Sequence, residues 1–284
     1  MPTIAALLTV HNRCRLTTAC LSVLLEQVLP KGFQLHVYLV DDGSTDGTSE
    51  EIRARFPMVN LLQGDGSLFW GGGMRQAWEE ASKGMYDYYL WLNDDTTLAH
   101  GAIVSLLETF AAVKLAEGKD PIIVGSTLDP ETGALSYGGH WLRHPALVEP
   151  GSSPVPCDMI NGNIVLVSKD VYVQVGTISH EFTHTLGDHD YSLRAVSKGI
   201  PVYVGPGNFG FCKEGPPPKW ILPETPLRER WCALHTAKGL PPSEYSVFLR
   251  HHLPRKRLWQ LGKLYLRALF PSFWLRKDHE ASAR

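Results

Sequence analysis

The chain has 284 residues, 44% of them hydrophobic and 20% charged, with a formal net charge of −2. That length and balance fit one large α/β domain, or one domain with an appendage, and give no global field for recruiting nucleic acid. The five cysteines (Cys14, Cys20, Cys157, Cys212 and Cys232) are odd in number and form no Cys-x-x-Cys pair, which predicts free thiols in a reducing compartment and excludes a zinc ribbon or disulfide framework.

Ile4–Val10 is apolar, but no basic residue precedes it and the run stops at His11-Asn12-Arg13, too soon for a secretory leader. No stretch approaches the ~20 apolar residues that span a bilayer. The expectation is a cytosolic protein, with contact to a membrane surface left open.

In chain order, Thr3–Val10 reads as a buried strand and Leu16–Leu29 as a helix. Leu35–Val40 is a second strand, ending at Asp41-Asp42-Gly43. A helix over Glu50–Phe56 follows, with Ser44, Thr45 and Asp46 as candidate caps. Val59–Leu62 is a third strand. Gly71-Gly72-Gly73 opens a helix running to about Lys83, with Arg75 in its first turn. Tyr88–Leu92 is a fourth strand, ending at Asn93-Asp94-Asp95. A long apolar helix is predicted from Leu98 to Leu115, then a strand at Ile122–Ser126. This alternation predicts a mostly parallel sheet with helices on both faces, and such sheets bind ligands at the carboxyl ends of their strands.

After Thr127 the rhythm changes. Glu131–Trp141 reads as a hairpin around Thr132-Gly133, Ile164–Val167 as a strand, Lys169–Val175 as a short helix and Asp190–Lys198 as another. Gly215-Pro216-Pro217-Pro218 breaks the chain and predicts a boundary. Beyond it, Pro226–Lys238, Ser243–His252 and Arg257–Leu269 look helical.

Two strands end in aspartates. Asp41-Asp42-Gly43 either accepts hydrogen bonds from a ribose or base, or forms a capped strand–helix turn. Asn93-Asp94-Asp95-Thr96 offers hard oxygen ligands of the kind Mg²⁺ and Mn²⁺ share with substrate phosphates, or again a turn. The glycines at 71–73 would let backbone N–H groups face an anion, and Arg75 would pair with a phosphate. Trp70 would stack on a sugar or base, or belong to the core.

These pieces occur in a specific order. Thr9-Val10-His11-Asn12-Arg13 ends the first strand and Asp41–Thr48 the second. Leu68–Trp78, Trp91–Thr96, Asn161-Gly162-Asn163 and Gly187-Asp188-His189-Asp190-Tyr191-Ser192-Leu193-Arg194 follow. The series resembles glycosyltransferase family 2, in the branch of rhamnosyltransferases and O-antigen enzymes, over roughly residues 3–212. The resemblance implies a GT-A (Rossmann-like) fold: a mostly parallel central sheet flanked by helices, with a C-terminal helical extension. It implies a catalytic domain at 1–215, whose nucleotide-sugar half is about 1–126 and acceptor half about 127–215, and a basic amphipathic extension at 216–284.

The same resemblance implies inverting transfer from a nucleoside diphosphate sugar to a glycan or lipid-linked acceptor in surface polysaccharide synthesis, with no covalent intermediate. Nucleotide-sugar contacts are implied for Thr9, His11, Asn12, Arg13, Asp41, Asp42, Gly72, Gly73, Arg75, Asn93 and Asp94. Asp95 matches the metal position, for Mg²⁺ or Mn²⁺, although Asn93 stands where the family's Asp-x-Asp begins. Asp188 matches the general base, although Gly187 replaces the preceding glutamate. Trp70, Asn161, Gly162, His184 and Asp190 are acceptor-side candidates. An inverting displacement needs its proton acceptor on the face opposite the leaving diphosphate, so base and metal should come from separate segments.

A competing motif runs through His180-Glu181-Phe182-Thr183-His184. On a helix the two histidines would share a face and bind zinc, with Glu181 as base. Gly176, Thr177 and Ser179 disfavour such a helix, and no methionine follows Met159 to form a metzincin Met-turn. A non-catalytic sugar-nucleotide-binding module is a further alternative, suggested by Asn93. Arg250–Lys277 interleaves eight Lys and Arg with Leu258, Trp259, Leu266, Phe270, Phe273 and Trp274. That pattern fits either a helix lying in an anionic membrane interface or one packed on the catalytic domain.

Overall fold

The computed structural model describes residues 1–273; Trp274, Arg276 and Lys277 lie outside the described residues. The chain forms two compact units. The first comprises Met1–His180 with Asp188–Glu214, the second Glu181–Gly187 with the chain from Gly215 onward.

The first unit opens with β1 (Thr3–Val10) and α1 (Cys14–Leu25), then β2 (Gln34–Asp41), α2 (Thr48–Arg55), β3 (Asn60–Gln63) and α3 (Phe69–Ser82). Next come β4 (Tyr88–Leu92), β5 (Thr97–Leu98), α4 (Ala102–Glu117) and β6 (Ile122–Val124). Short strands follow: β7 (Thr127–Leu128), β8 (Leu135–Tyr137), β9 (Gly139–Trp141), β10 (His144–Leu147), β11 (Val155–Pro156) and β12 (Met159–Ile160). The unit closes with β13 (Ile164–Ser168), α5 (Lys169–Val175), α6 (Gly187–Ser197), β14 (Val202–Val204) and β15 (Gly210–Phe211).

The main sheet runs β11-β14-β6-β13-β4-β1-β2-β3. β3, β2, β1 and β4 are mutually parallel, as are β6 and β14; β13 is antiparallel to both β4 and β6. The expected mostly parallel, helix-flanked sheet is therefore present, with one reversed strand in its middle. β1 has side chains buried on both faces. Ile4, Ala6, Leu8 and Val10 pack into the core that includes the α1, α2 and α4 residues, while Ala5 and Leu7 face the α3 and α6 side. That alternation follows from the two-residue side-chain period of a strand.

The α3 side is aromatic. Trp78 is fully buried, its ring edge-on to Trp91 at 5.3 Å and stacked on Tyr172 at 5.4 Å, with Tyr191 at 5.5 Å.

Several boundaries differ from the sequence reading. α1 begins two residues earlier and stops at Leu25. The long apolar helix starts at Ala102, because Gly101 has a left-handed φ of 75° and separates it from β5. The hairpin is formed by Thr127–Leu128 and Leu135–Tyr137, not by Glu131–Trp141; β9 pairs instead with β10 and β12. α6 begins at Gly187, three residues before the expected start, so Asp188 lies in its first turn.

The second unit contains α7 (Leu227–Leu234), α8 (Pro242–His252) and α9 (Arg257–Leu269). Trp220, Leu234, Leu264 and Ala268 form its small core. The 181–187 segment is held there by Glu244, which accepts the Thr183 N–H at 3.1 Å and its hydroxyl at 2.7 Å. No helix among the described residues is long and apolar enough to cross a membrane.

Trp78→Ala should leave a cavity behind the strand ends that the surrounding rings cannot refill. A loss of about 3–5 kcal/mol is expected for an aromatic truncated in a packed core, read by urea denaturation.

Candidate active site

β4, β1 and β2 are adjacent and parallel, so their carboxyl ends share one rim of the sheet. His11–Arg13, Asp42 and Asn93–Asp95 all leave from that rim. β13 is antiparallel to β4, with Ile164 opposite Leu92. The residues entering β13 (Asn161, Gly162 and Asn163) therefore sit beside those leaving β4. The Asn93 N–H donates to the Asn163 carbonyl at 3.1 Å.

The loop after β1 is locked to the loop after β2. The Thr45 N–H donates to Asn12 Oδ1 at 2.7 Å, which fixes the amide orientation and turns Asn12 Nδ2 toward His11 Nε2 at 3.0 Å. His11 Nε2 must then accept, so Nδ1 carries the proton and donates to the Asp42 carbonyl at 2.6 Å. Asn12 has a φ of 52°, a left-handed conformation that asparagine tolerates better than most residues.

The aspartates divide into two kinds. Asp41 is 1% exposed and accepts the Ser44 N–H at 3.0 Å and the Ser49 hydroxyl. Asp42 is 3% exposed and accepts three backbone N–H groups: Gly66 at 2.8 Å, Leu68 at 3.3 Å and Phe69 at 2.8 Å. Both carboxylates, expected to hold a nucleotide, accept bonds that shape the 43–69 loops. Buried carboxylates need such donors to offset desolvation. Phe69 is held at a φ of 53°, a strained conformation for a bulky residue, and the Asp42 bond to its N–H secures it.

The second corner is charged and more open. Arg13 Nη1 donates to Asp95 Oδ2 at 2.6 Å and to Asp94 Oδ1 at 3.1 Å. Asp94 also accepts from the Thr17 hydroxyl at 3.3 Å. Burial pushes the Asp94 carboxyl up to about 7, with Arg13 pulling against it. Burial alone would lower the Arg13 guanidinium, but the two carboxylates outweigh it and the net direction is upward. The Cys212 thiol lies 3.6 Å from Asp95 Oδ1 and is pushed up to about 12 by burial and that carboxylate, so it stays protonated.

The glycine-rich helix start works differently from the sequence reading. α3 begins at Phe69, so the glycines lie inside the helix. The Gly72 N–H donates to the Leu68 carbonyl rather than toward an anion. A Cβ on Gly73 would stand 2.0 Å from Thr9 Oγ1, and one on Gly72 3.0 Å from Leu68 Cβ. Gly73 lets α3 close onto β1 and cover Thr9, and Gly72 makes room for the Leu68 side chain. Arg75 is in the second turn and donates to the Ser179 carbonyl at 2.8 Å.

Trp70 joins the two halves of the rim. Its indole N–H donates to Asn93 Oδ1 at 2.8 Å, and its ring lies against Gly162, where an added Cβ would be 2.4 Å from Trp70 Cζ2. The Gly162 N–H donates to Asp188 Oδ2 at 3.0 Å, and the His189 N–H donates to Asp188 Oδ1 at 2.8 Å. Asp188 thus sits at the positive end of α6 with lone pairs to spare on a half-buried carboxylate. A continuous chain of contacts runs from Asn93 through Trp70 and Gly162 to Asp188.

Asn161 Oδ1 accepts the Gly138 N–H at 3.2 Å, which fixes the amide and makes His140 Nε2 the donor at 2.8 Å. His140 packs edge-on to His189 at 5.7 Å. Neither His140 nor Thr17 stood out in the sequence, because no local motif marks them.

One acceptor-side candidate belongs to the packed interior. Asp190 is fully buried and paired with Arg194 at 2.8 Å; Arg194 also holds the Val175 and Thr177 carbonyls, which gives the pair a packing role. His184 falls in the second unit. The zinc-protease alternative required a helix, but residues 180–186 form turns and bends, and Glu181 lies 3.4 Å from Arg250.

Among the described residues no three His, Cys, Asp or Glu side chains converge as a metal cage. Asn93 is turned to Trp70 and Asp94 is enclosed. Asp95, with its side chain 28% exposed, keeps a hard carboxylate oxygen at the rim. That donor set fits a cation of the Mg²⁺ or Mn²⁺ kind, bound through one carboxylate and completed by substrate phosphates and water.

The strand order and its rim have the arrangement of a GT-A fold. Residues 6–117 match the profile of glycosyl transferase family 2. The chain is similar to the N-acetylglucosaminyl-diphospho-decaprenol L-rhamnosyltransferase of two Mycobacterium tuberculosis strains, with 26% identity over 200 residues. That match covers 59% of this chain and 63% of the relative, so it spans somewhat under two thirds of the relative's length. Among solved structures it is similar in fold to S. aureus TarS 1–349, with a TM-score of 0.51 and 13% identity, over 87% of this chain and 69% of that one.

Gly162→Ala should force the Trp70 ring away and destabilise the unit by about 1–3 kcal/mol, the usual overpacking cost. Adding Trp70→Leu should recover part of that loss. A double-mutant cycle by denaturation checks the contact, and additive losses would mean the two residues do not meet.

Proposed function

We propose that the chain is an inverting glycosyltransferase that moves a deoxyhexose of the rhamnose type from a nucleoside diphosphate sugar to a glycan carried on lipid. The reaction would be a step of O-antigen- or capsule-type surface polysaccharide synthesis at a membrane surface. The donor and acceptor classes are suggested by the family 2 domain and by the names of the mycobacterial relatives. The observation that carries the reading is the contact chain from Asp188 through Gly162 and Trp70 to Asn93, which lies two residues before Asp95 of the Arg13–Asp95 pair.

In this reading the acceptor hydroxyl attacks the anomeric carbon as its proton passes to Asp188. The bond to the diphosphate oxygen breaks, and that oxygen leaves with the electron pair. Gly162 and His189 hold Asp188 in place through their backbone N–H groups, so little reorganisation is needed. Arg13 offers positive charge where the leaving diphosphate develops negative charge. Asp95 would hold a divalent cation, which when bound supplies further neutralising charge at the diphosphate. Asp41 and Asp42 serve the donor indirectly, by fixing the loops that border it.

Asp188→Asn keeps the shape and hydrogen-bond acceptance at one oxygen but removes the base. Transfer should fall by about 10²–10⁴, the usual contribution of general base catalysis. Nucleoside diphosphates should still raise the melting temperature of this variant. A near-normal rate would sink the base assignment. Asp95→Ala should lose the response of turnover to added Mn²⁺ or Mg²⁺, checked by titrating the metal in a transfer assay.

A further inference from the structure

α9 has two unlike apolar faces. Leu264 and Ala268 are buried in the core of the second unit. At 3.6 residues per turn, Leu258, Trp259, Leu266 and Leu269 fall within about 100° of arc on the side roughly opposite that pair. They face solvent: Leu258 is 85% exposed and Trp259 71%. Phe270 and Phe273 extend the patch past the helix end at 61% and 59%. Leu269 also borders an open groove of about 660 Å³ lined by Leu227 and Trp231 of α7. Single exposed apolar residues are ordinary, but a contiguous aromatic and aliphatic patch of this kind marks a binding surface.

The charge around the patch indicates what covers it. Lys263 and Arg267 flank it along the helix, and the exposed Arg255 and Lys256 precede it. Residues 215–284 contain thirteen Lys and Arg against five Asp and Glu, whereas the preceding 214 residues contain fourteen against twenty-four. A second copy laid on this face would bring two strongly basic segments together, which costs affinity. An anionic lipid surface meets both features, because its headgroups attract the cations and its acyl boundary takes the apolar side chains. The helix is 13 residues long, about 20 Å at 1.5 Å per residue, so it suits the plane of the interface rather than a span.

We propose that the outward face of α9, with Phe270 and Phe273, is a docking surface for an anionic lipid bilayer. Docking needs neither sugar donor nor acceptor, so its failure would leave the transfer reading standing.

Flotation of the full chain with phosphatidylcholine vesicles, with and without phosphatidylglycerol, tests it. The protein should float with the anionic vesicles, stay behind with the neutral ones, and release as salt is raised. The triple variant Leu258→Ser, Trp259→Ser, Phe270→Ser should lower the bound fraction by about tenfold or more while its melting temperature holds. Arg255→Glu with Lys256→Glu should remove the preference for anionic lipid. The control Leu115→Ser with Val173→Ser, exposed apolar sites of the first unit, should float like the parent. A parent chain that ignores anionic vesicles, or a triple variant that floats equally well, overturns the proposal. So does a parent that sediments as a dimer without lipid and becomes monomeric in the triple variant, which would make the face a contact between copies.

Discussion

The site depends on one reversed strand. β13 pairs antiparallel with β4, and that pairing alone brings Asn161–Asn163 alongside Asn93–Asp95. Were β13 parallel, the residues entering it would emerge at the opposite end of the sheet, about a strand length away. Gly162 could then neither receive the Trp70 ring nor orient Asp188. Parallel strands β4, β1 and β2 collect their loops at one rim; the antiparallel neighbour adds the segment that orients Asp188.

Charge is managed differently on the two sides of this rim. Asp41 and Asp42 are enclosed and satisfied by backbone N–H groups and a serine hydroxyl, so their cost of burial is offset by bonds that shape loops. Asp94 and Asp95 share a single guanidinium, and Asp94 is pushed up to about 7 because Arg13 only partly offsets its burial. Two carboxylates against one cation leave a corner in which added positive charge is favourable. That is the electrostatic condition a cation or an approaching basic group would exploit.

The second unit works by other means. Its core is small, its net charge is positive, and its most amphipathic helix turns apolar side chains both inward and outward. An ordinary helix packed on a small core needs only the inward set. The outward set costs solubility unless something covers it.

The sequence by itself determined the alternating pattern, the strand ends that carry aspartates and the order of motifs that resembles family 2, because burial periodicity and turn chemistry are local. It placed Arg13, Asp95 and Asp188 among the residues of interest. It started α3 too late, at Gly71 rather than Phe69, since whether a glycine opens a helix or lies inside it depends on what packs on the chain around it. It also missed His140 and left Trp70 open between core and ligand, because those roles arise from partners 20 or more residues away. Only the tertiary structure decided which carboxylates are enclosed and which remain open, and that Asp188 is reached through Gly162 and Trp70. The physical reason is that desolvation and hydrogen-bond satisfaction belong to the packed arrangement, and no stretch of chain carries them alone.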